Sequence, residues 1–84
     1  MKKFFGEEEV EVVSFDDVST GEAILEFRPT TYRGVTVLLF FVPEGGGWSE
    51  ARMSVNPDIS EVSASFVEWA AREARNIIVG DFGY

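Results

Sequence analysis

Hydrophobic and polar residues alternate along the first two thirds of the chain and recur at helical spacing along the last third. The segment Glu9 to Phe15 (EVEVVSF) begins as a strict alternation, the pattern of a strand with one buried face. Glu22 to Arg28 (EAILEFR) places Ala23, Leu25 and Phe27 on one face and Ile24, Glu26 and Arg28 on the other. Val35 to Val42 (VTVLLFFV) is apolar on both faces, which predicts the centre of a sheet. Trp48 to Val55 (WSEARMSV) sets Ala51, Met53 and Val55 against Glu50 and Arg52. The connections DDVSTG, PTTYRG and PEGGG carry turn chemistry and are short, which favours antiparallel neighbours in a meander.

A helix is predicted over 57–79. Asn56 and Pro57 read as an N-cap and first-turn proline, with Asp58 and Glu61 as an alternative capping box. Ile59, Val62, Phe66, Ala70, Ala74 and Ile77 fall on one stripe with Trp69 at its margin, and Gly80 is the expected C-cap. Glu73 lies close to that stripe, so it should reach the margin or find a basic partner; Ser63 reads as a small packing residue. The fold class is therefore α+β: a four-stranded antiparallel meander with one C-terminal amphipathic helix on one face.

One helix leaves one sheet face uncovered. With Val10, Val12, Ala23, Leu25, Phe27, Val35, Val37, Leu39, Phe41, Ala51, Met53 and Val55 under the helix, the other face carries Ile24, Leu38, Phe40, Val42 and Trp48. Val13 and Phe15 extend this apolar stripe, and Glu11, Glu26, Arg28, Glu50 and Arg52 border it. A solvated sheet face should be polar. Either Phe4 and Phe5 or the tail residues Phe82 and Tyr84 fold over the stripe, or it is an interface with a second copy or a target.

Composition narrows the chemistry. The 84 residues suffice for a single domain, expected to span 1–84. A chain this short buries only about 60% of its unfolded surface. It has no cysteine and no histidine, which removes disulfides, thiol catalysis and the usual metal ligands. An aromatic core or self-association must then supply stability, and a homodimer is an open possibility. No catalytic residue, metal or cofactor is expected: hydroxyls lack a base, and the GGG loop lacks a following lysine and is flanked by Glu44 and Glu50. The longest apolar run, Val37 to Val42, is six residues, and Lys2 and Lys3 precede only Phe4 and Phe5 before the acidic run. No membrane span or signal-peptide core is expected, and a cytoplasmic location follows as the expectation.

The formal net charge of −8 argues against direct nucleic-acid binding and against an anionic membrane surface. The acid is concentrated: residues 1–27 carry two lysines against eight acids, a net of −6. Glu7, Glu8, Glu9 and Glu11, extended by Asp16 and Asp17, read either as a solvated edge strand or as a surface for a basic partner. Carboxylates at strand spacing repeat about every 6–7 Å, comparable to nucleic-acid phosphates. The segment Asp16 to Gly21 lacks the ligand spacing of an EF-hand loop.

In size, acidity and lack of catalytic groups, the chain resembles the small inhibitors that phages and mobile elements encode, such as anti-restriction and anti-CRISPR proteins. That resemblance covers the whole chain as a profile and carries no motif. It implies a viral, non-enzymatic inhibitor of a nucleic-acid-handling enzyme, offering carboxylates in place of phosphates. The alternatives are a homo-oligomeric assembly subunit using the apolar sheet face and a small-ligand binder with an aromatic pocket.

Overall fold

The structure is a computed structural model that describes residues 1–81. Five strands, β1 (Lys2–Phe5), β2 (Glu8–Asp16), β3 (Ala23–Pro29), β4 (Leu38–Val42) and β5 (Arg52–Val55), form one sheet in the order β1-β2-β3-β4-β5. Every neighbouring pair is antiparallel, and a single α-helix, α1 (Ala64–Asp81), completes this α+β fold.

The sheet has one strand more than the hydropathy pattern predicts. Lys2–Phe5 is too short and too charged at its start to read as a strand alone. The tight turn at Gly6, where φ is +62°, folds it back onto β2, pairing Lys3 with Val10 and Phe5 with Glu8. Consequently β2 is an interior strand, and the edge-strand reading of the acidic run is corrected.

Alternation holds where it is unambiguous. Val10 and Val12 of β2 and Ala23, Leu25 and Phe27 of β3 are buried beneath the helix. In β4 the expected phase is reversed. Val37 donates its N–H to the Phe27 carbonyl at 2.9 Å, while Leu38 is the register partner of Phe27. Two residues thus oppose one, the arrangement of a β-bulge, and Val37 and Leu38 are both buried. A one-residue slip moves every later side chain to the other face. Leu38, Phe40 and Val42 therefore lie in the core, Leu39 and Phe41 lie on the open face, and Val35 is exposed in the loop before the strand.

The predicted fourth strand is also shorter. Trp48–Glu50 forms a 3-10 turn, Ala51 caps it, and only Arg52–Val55 joins the ladder. Met53 and Val55 do sit on the helix side, opposite Phe40 and Leu38, yet both stay substantially exposed at the sheet margin.

The helix starts at Ala64 rather than near Pro57. Asn56 is used otherwise: its N–H bonds the Val37 carbonyl, its side-chain amide donates to the Thr36 carbonyl, and its Oδ1 accepts the Asp58 N–H at 2.9 Å. That anchors an irregular segment whose Ile59 and Val62 still pack on the core. Ser63 is the N-cap, its hydroxyl accepting the Phe66 N–H at 3.2 Å. Gly80 lies inside the helix and is not its C-cap.

Phe66, Ala70, Ala74, Ile77 and Ile78 form the buried helix stripe. Six aromatic rings tie the layers together: Phe5 meets Phe66 edge-on at 5.4 Å, Phe27 meets Phe40 and Trp69, and Trp48 stacks near Phe40. This aromatic packing supplies the core that a short chain without disulfides requires. Glu73 reaches Lys3 at 3.6 Å, linking the helix margin to β1.

Candidate docking surface at the open sheet face

The surface is set by register. Phe15 pairs with Ile24, Ile24 with Phe41, and Phe41 with Arg52, so these residues form one row across four strands. The next row runs Val13, Glu26, Leu39 and Ser54, and beyond it Lys2, Glu11 and Arg28 form a third. Among the described residues the only α-helix packs on the opposite face. Phe15 is 42% exposed, and Ile24, Leu39, Phe41 and Val13 are half-buried by one another. Adjacent apolar side chains on a face without a covering layer form a patch, not scattered exposure.

Polar groups beside the patch are locally matched. Arg28 binds Glu26 and donates to the Thr36 hydroxyl at 3.2 Å, and Thr36 also donates to Glu26 at 3.1 Å. This fixes the guanidinium against the sheet and leaves the apolar row as the unmatched part of the face. Phe4 and Phe5 do not cover it: Phe5 packs under the helix with Phe66 and Trp69, and Phe4 points outward, 61% exposed. The tail residues Phe82 and Tyr84 lie outside the described residues.

Of the open-face residues expected from sequence, Val13, Phe15 and Ile24 are in place. Leu38, Phe40 and Val42 are core residues, and Trp48 sits in the 3-10 turn packed against that core. The residues missed are Phe41 and Leu39; nothing in the six-residue apolar run Val37 to Val42 reveals which phase faces the helix.

The acidic run does not make one surface. Glu8 points to the helix side, where it accepts from the Thr31 N–H at 3.0 Å and binds its hydroxyl. Glu9 and Glu11 lie on the open face, beside Lys2 at 3.8 Å and the Met1 amino group at 3.9 Å. Glu7 sits in the β1–β2 turn. Lys2 and the N-terminal amine thus fold back onto part of the run, and the crowding of like charge there is relieved within the chain.

Unrelieved acid collects elsewhere. The β2–β3 turn and the β4–β5 connection lie at the same end of the meander, carrying Asp17, Glu22, Glu44 and Glu50 with no Lys or Arg in either segment, while Asp16 ends β2 opposite Ala23 on the helix side. Glu44 lies directly over Gly21, whose φ of +76° and missing Cβ leave room for it. Asp17 accepts from the Ser19 N–H at 2.9 Å and hydroxyl at 2.7 Å. These two bonds from Ser19, side chain foremost, hold its carboxyl below the usual range. This end borders the Phe15–Ile24–Phe41 row, so the apolar patch has an acidic rim.

Other openings are shallow. One cleft of about 180 Å³ involves Phe5, Glu8, Tyr32 and Phe66; another of about 260 Å³ lies between Trp48, Met53 and Ala71. Both are smaller than the usual small-molecule pocket of roughly 300–1,000 Å³. Among the described residues no three acidic side chains converge on a metal position, and no helix is long and apolar enough to cross a membrane. The chain matches no family model, and neither curated proteins nor solved structures show a match to it.

Proposed function

We propose that this protein is a non-enzymatic interaction module that docks a basic surface of a macromolecular partner against its open sheet face, at the end bordered by the β2–β3 turn and the β4–β5 connection. Phe15, Ile24 and Phe41 are the apolar anchor, and Asp17, Glu22 and Glu44 are the charged rim. The observation that supports this reading is contiguity: the partly exposed apolar row, closed by Arg52 on β5, borders the two turns whose carboxylates have no Lys or Arg among them. An apolar centre with a charged rim is the usual anatomy of a protein interface. The acids accelerate encounter and select a positive partner, while desolvation of the aromatic row slows dissociation.

In its narrower form, the partner is a nucleic-acid-handling protein whose phosphate-binding groove receives the acidic rim, which makes the module an inhibitor. Competition between this protein and the partner's own nucleic acid is the signature of that form. The test starts from proteins captured on the immobilised chain at about 50 mM salt, each then measured in pure form. Phe41→Ser should weaken binding about 10- to 100-fold through the off-rate, as loss of an aromatic anchor does. The combined variant Asp17→Asn, Glu22→Gln, Glu44→Gln should slow association and flatten its salt dependence. Wild-type kinetics in both variants would remove the function from this surface.

A further inference from the structure

Among the described residues the sheet has two free edges, and they are built differently. β1 carries Lys2 and Lys3, and lysine guards an edge against pairing with another chain. β5 reads Arg-Met-Ser-Val and has no such guard beyond its first residue. The Asn56 N–H bonds the Val37 carbonyl at 2.9 Å. By the antiparallel alternation, Ser54 and Arg52 therefore also bond β4, and the backbone N–H and C=O groups of Met53 and Val55 face outward. Their side chains are 40% and 39% exposed.

We propose that β5 of a second copy of this chain pairs antiparallel with β5 about a two-fold axis through Ser54, joining two five-stranded sheets into one. The register follows from which groups are free. Upstream, the Ala51 N–H is already given to the Trp48 carbonyl at 2.9 Å. Downstream, Pro57 has no N–H to give. Only Met53 and Val55 are usable, and only Met53 against Val55 of the second copy engages both at once. That pairing joins all the outward backbone groups of both strands in four hydrogen bonds.

Side chains agree with this register. Met53 of each copy meets Val55 of the other on the helix side, so each covers apolar surface that the monomer leaves exposed. Val55 of the second copy comes to the mouth of the 260 Å³ cleft that Met53 shares with Trp48 and Ala71. Ser54 faces Ser54, and Arg52 falls opposite Asn56, so the ladder brings no two acids together in a chain of net charge −8. An unrelated extended peptide would find the same short edge but no reciprocal Met–Val match. A pairing of two four-residue strands should bury less than the roughly 1,200 Å² of stable complexes, so the dissociation constant should be on the order of 0.1 mM. Net repulsion between acidic copies means that added salt should strengthen it, opposite to the salt response of docking to a basic partner.

Sedimentation and amide hydrogen exchange on the full chain, from about 10 μM to about 1 mM, test this against the constant above. Dimer should form across that range, with the Met53 and Val55 amides gaining protection as it does. Met53→Lys should raise the dissociation constant at least about 10-fold with its circular dichroism unchanged, since lysine blunts an edge. Val55→Lys provides a second variant should the first lose its fold. The open-face variant Phe41→Ser should dimerise as the wild type does, which separates this surface from the docking face. A monomer at the top concentration overturns the proposal. So does a dimer that Phe41→Ser dissolves, or one that leaves both amides unprotected. Protection of those amides by an added extended peptide in a chain that stays monomeric would assign the edge to another occupant.

Discussion

Phe40 and Phe41 are neighbours in sequence, and their surroundings differ completely. Phe40 is 3% exposed, packed edge-on against Phe27 and stacked near Trp48 under the helix. Phe41 lies half-buried on the opposite face, between Ile24 and Arg52. The covered face obtains its order from two layers pressing together; the open face obtains it from cross-strand neighbours alone. The same residue type is a structural element on one side and an available contact on the other. Net stability of a small domain is only about 5–15 kcal/mol, so the two faces should tolerate change very unequally.

The largest effect tests that inequality directly. Phe40→Ala should cost about 3–5 kcal/mol, as removal of a buried aromatic ring does, and should abolish most of the cooperative urea transition. Phe41→Ala should cost about 1 kcal/mol or less, because its partners are partly solvated already. Similar losses from both would mean that the open face is covered in solution. A charged residue at position 40, which the sequence pattern would place safely on an exposed face, should prevent folding.

A smaller effect separates the layers. Ser63→Ala removes the hydroxyl that caps α1 and should lower stability by about 1 kcal/mol in chemical denaturation. The loss should appear in the exchange protection of the helix and the core, while binding through the open face persists. Reduced partner affinity in proportion to the lost stability would show that the two faces are not independent.

The smallest effect lies at the acidic rim. The Asp17 carboxyl is held low by Ser19 in the folded chain, so its folded pKa is below its unfolded one, about 3.9. Its contribution to stability is therefore complete above that unfolded value and disappears as pH falls through the lower folded value. Asp17→Asn should leave the melting temperature nearly unchanged in strong acid and lower it slightly near neutrality. A variant that melts lower in strong acid than at neutral pH, relative to wild type, would contradict the assignment. Because the group is exposed, the shift should be small at both ends.

Much of this architecture is legible in the chain itself. The alternation of EVEVVSF and EAILEFR correctly identifies the two strands whose faces are chemically distinct, together with their buried residues Val10, Val12, Ala23, Leu25 and Phe27. Helical spacing identifies Phe66, Ala70, Ala74 and Ile77 as one buried stripe. Short turns rich in Gly, Asp and Pro determine the antiparallel meander. These features are local, or repeat with a period that only one structure satisfies.

Tertiary structure decided the remainder. Lys2–Phe5 becomes a strand because β2 offers an edge, not because four residues prefer that conformation. The capping role falls to Ser63 because Asn56 is engaged with Thr36 and Val37 across the sheet. The phase expected for VTVLLFFV is reversed, since a run apolar on both faces has no preferred side and a bulge against Phe27 exchanged Phe40 for Phe41. Lys2 lies beside Glu9 and the N-terminal amine beside Glu11, so the excess charge shifts from the run of glutamates to the turns at the other end of the sheet. Composition determined that this protein is acidic, aromatic and free of thiol and imidazole; only the three-dimensional fold determined which surface its acids and aromatics share, because that surface is assembled from residues far apart in the chain.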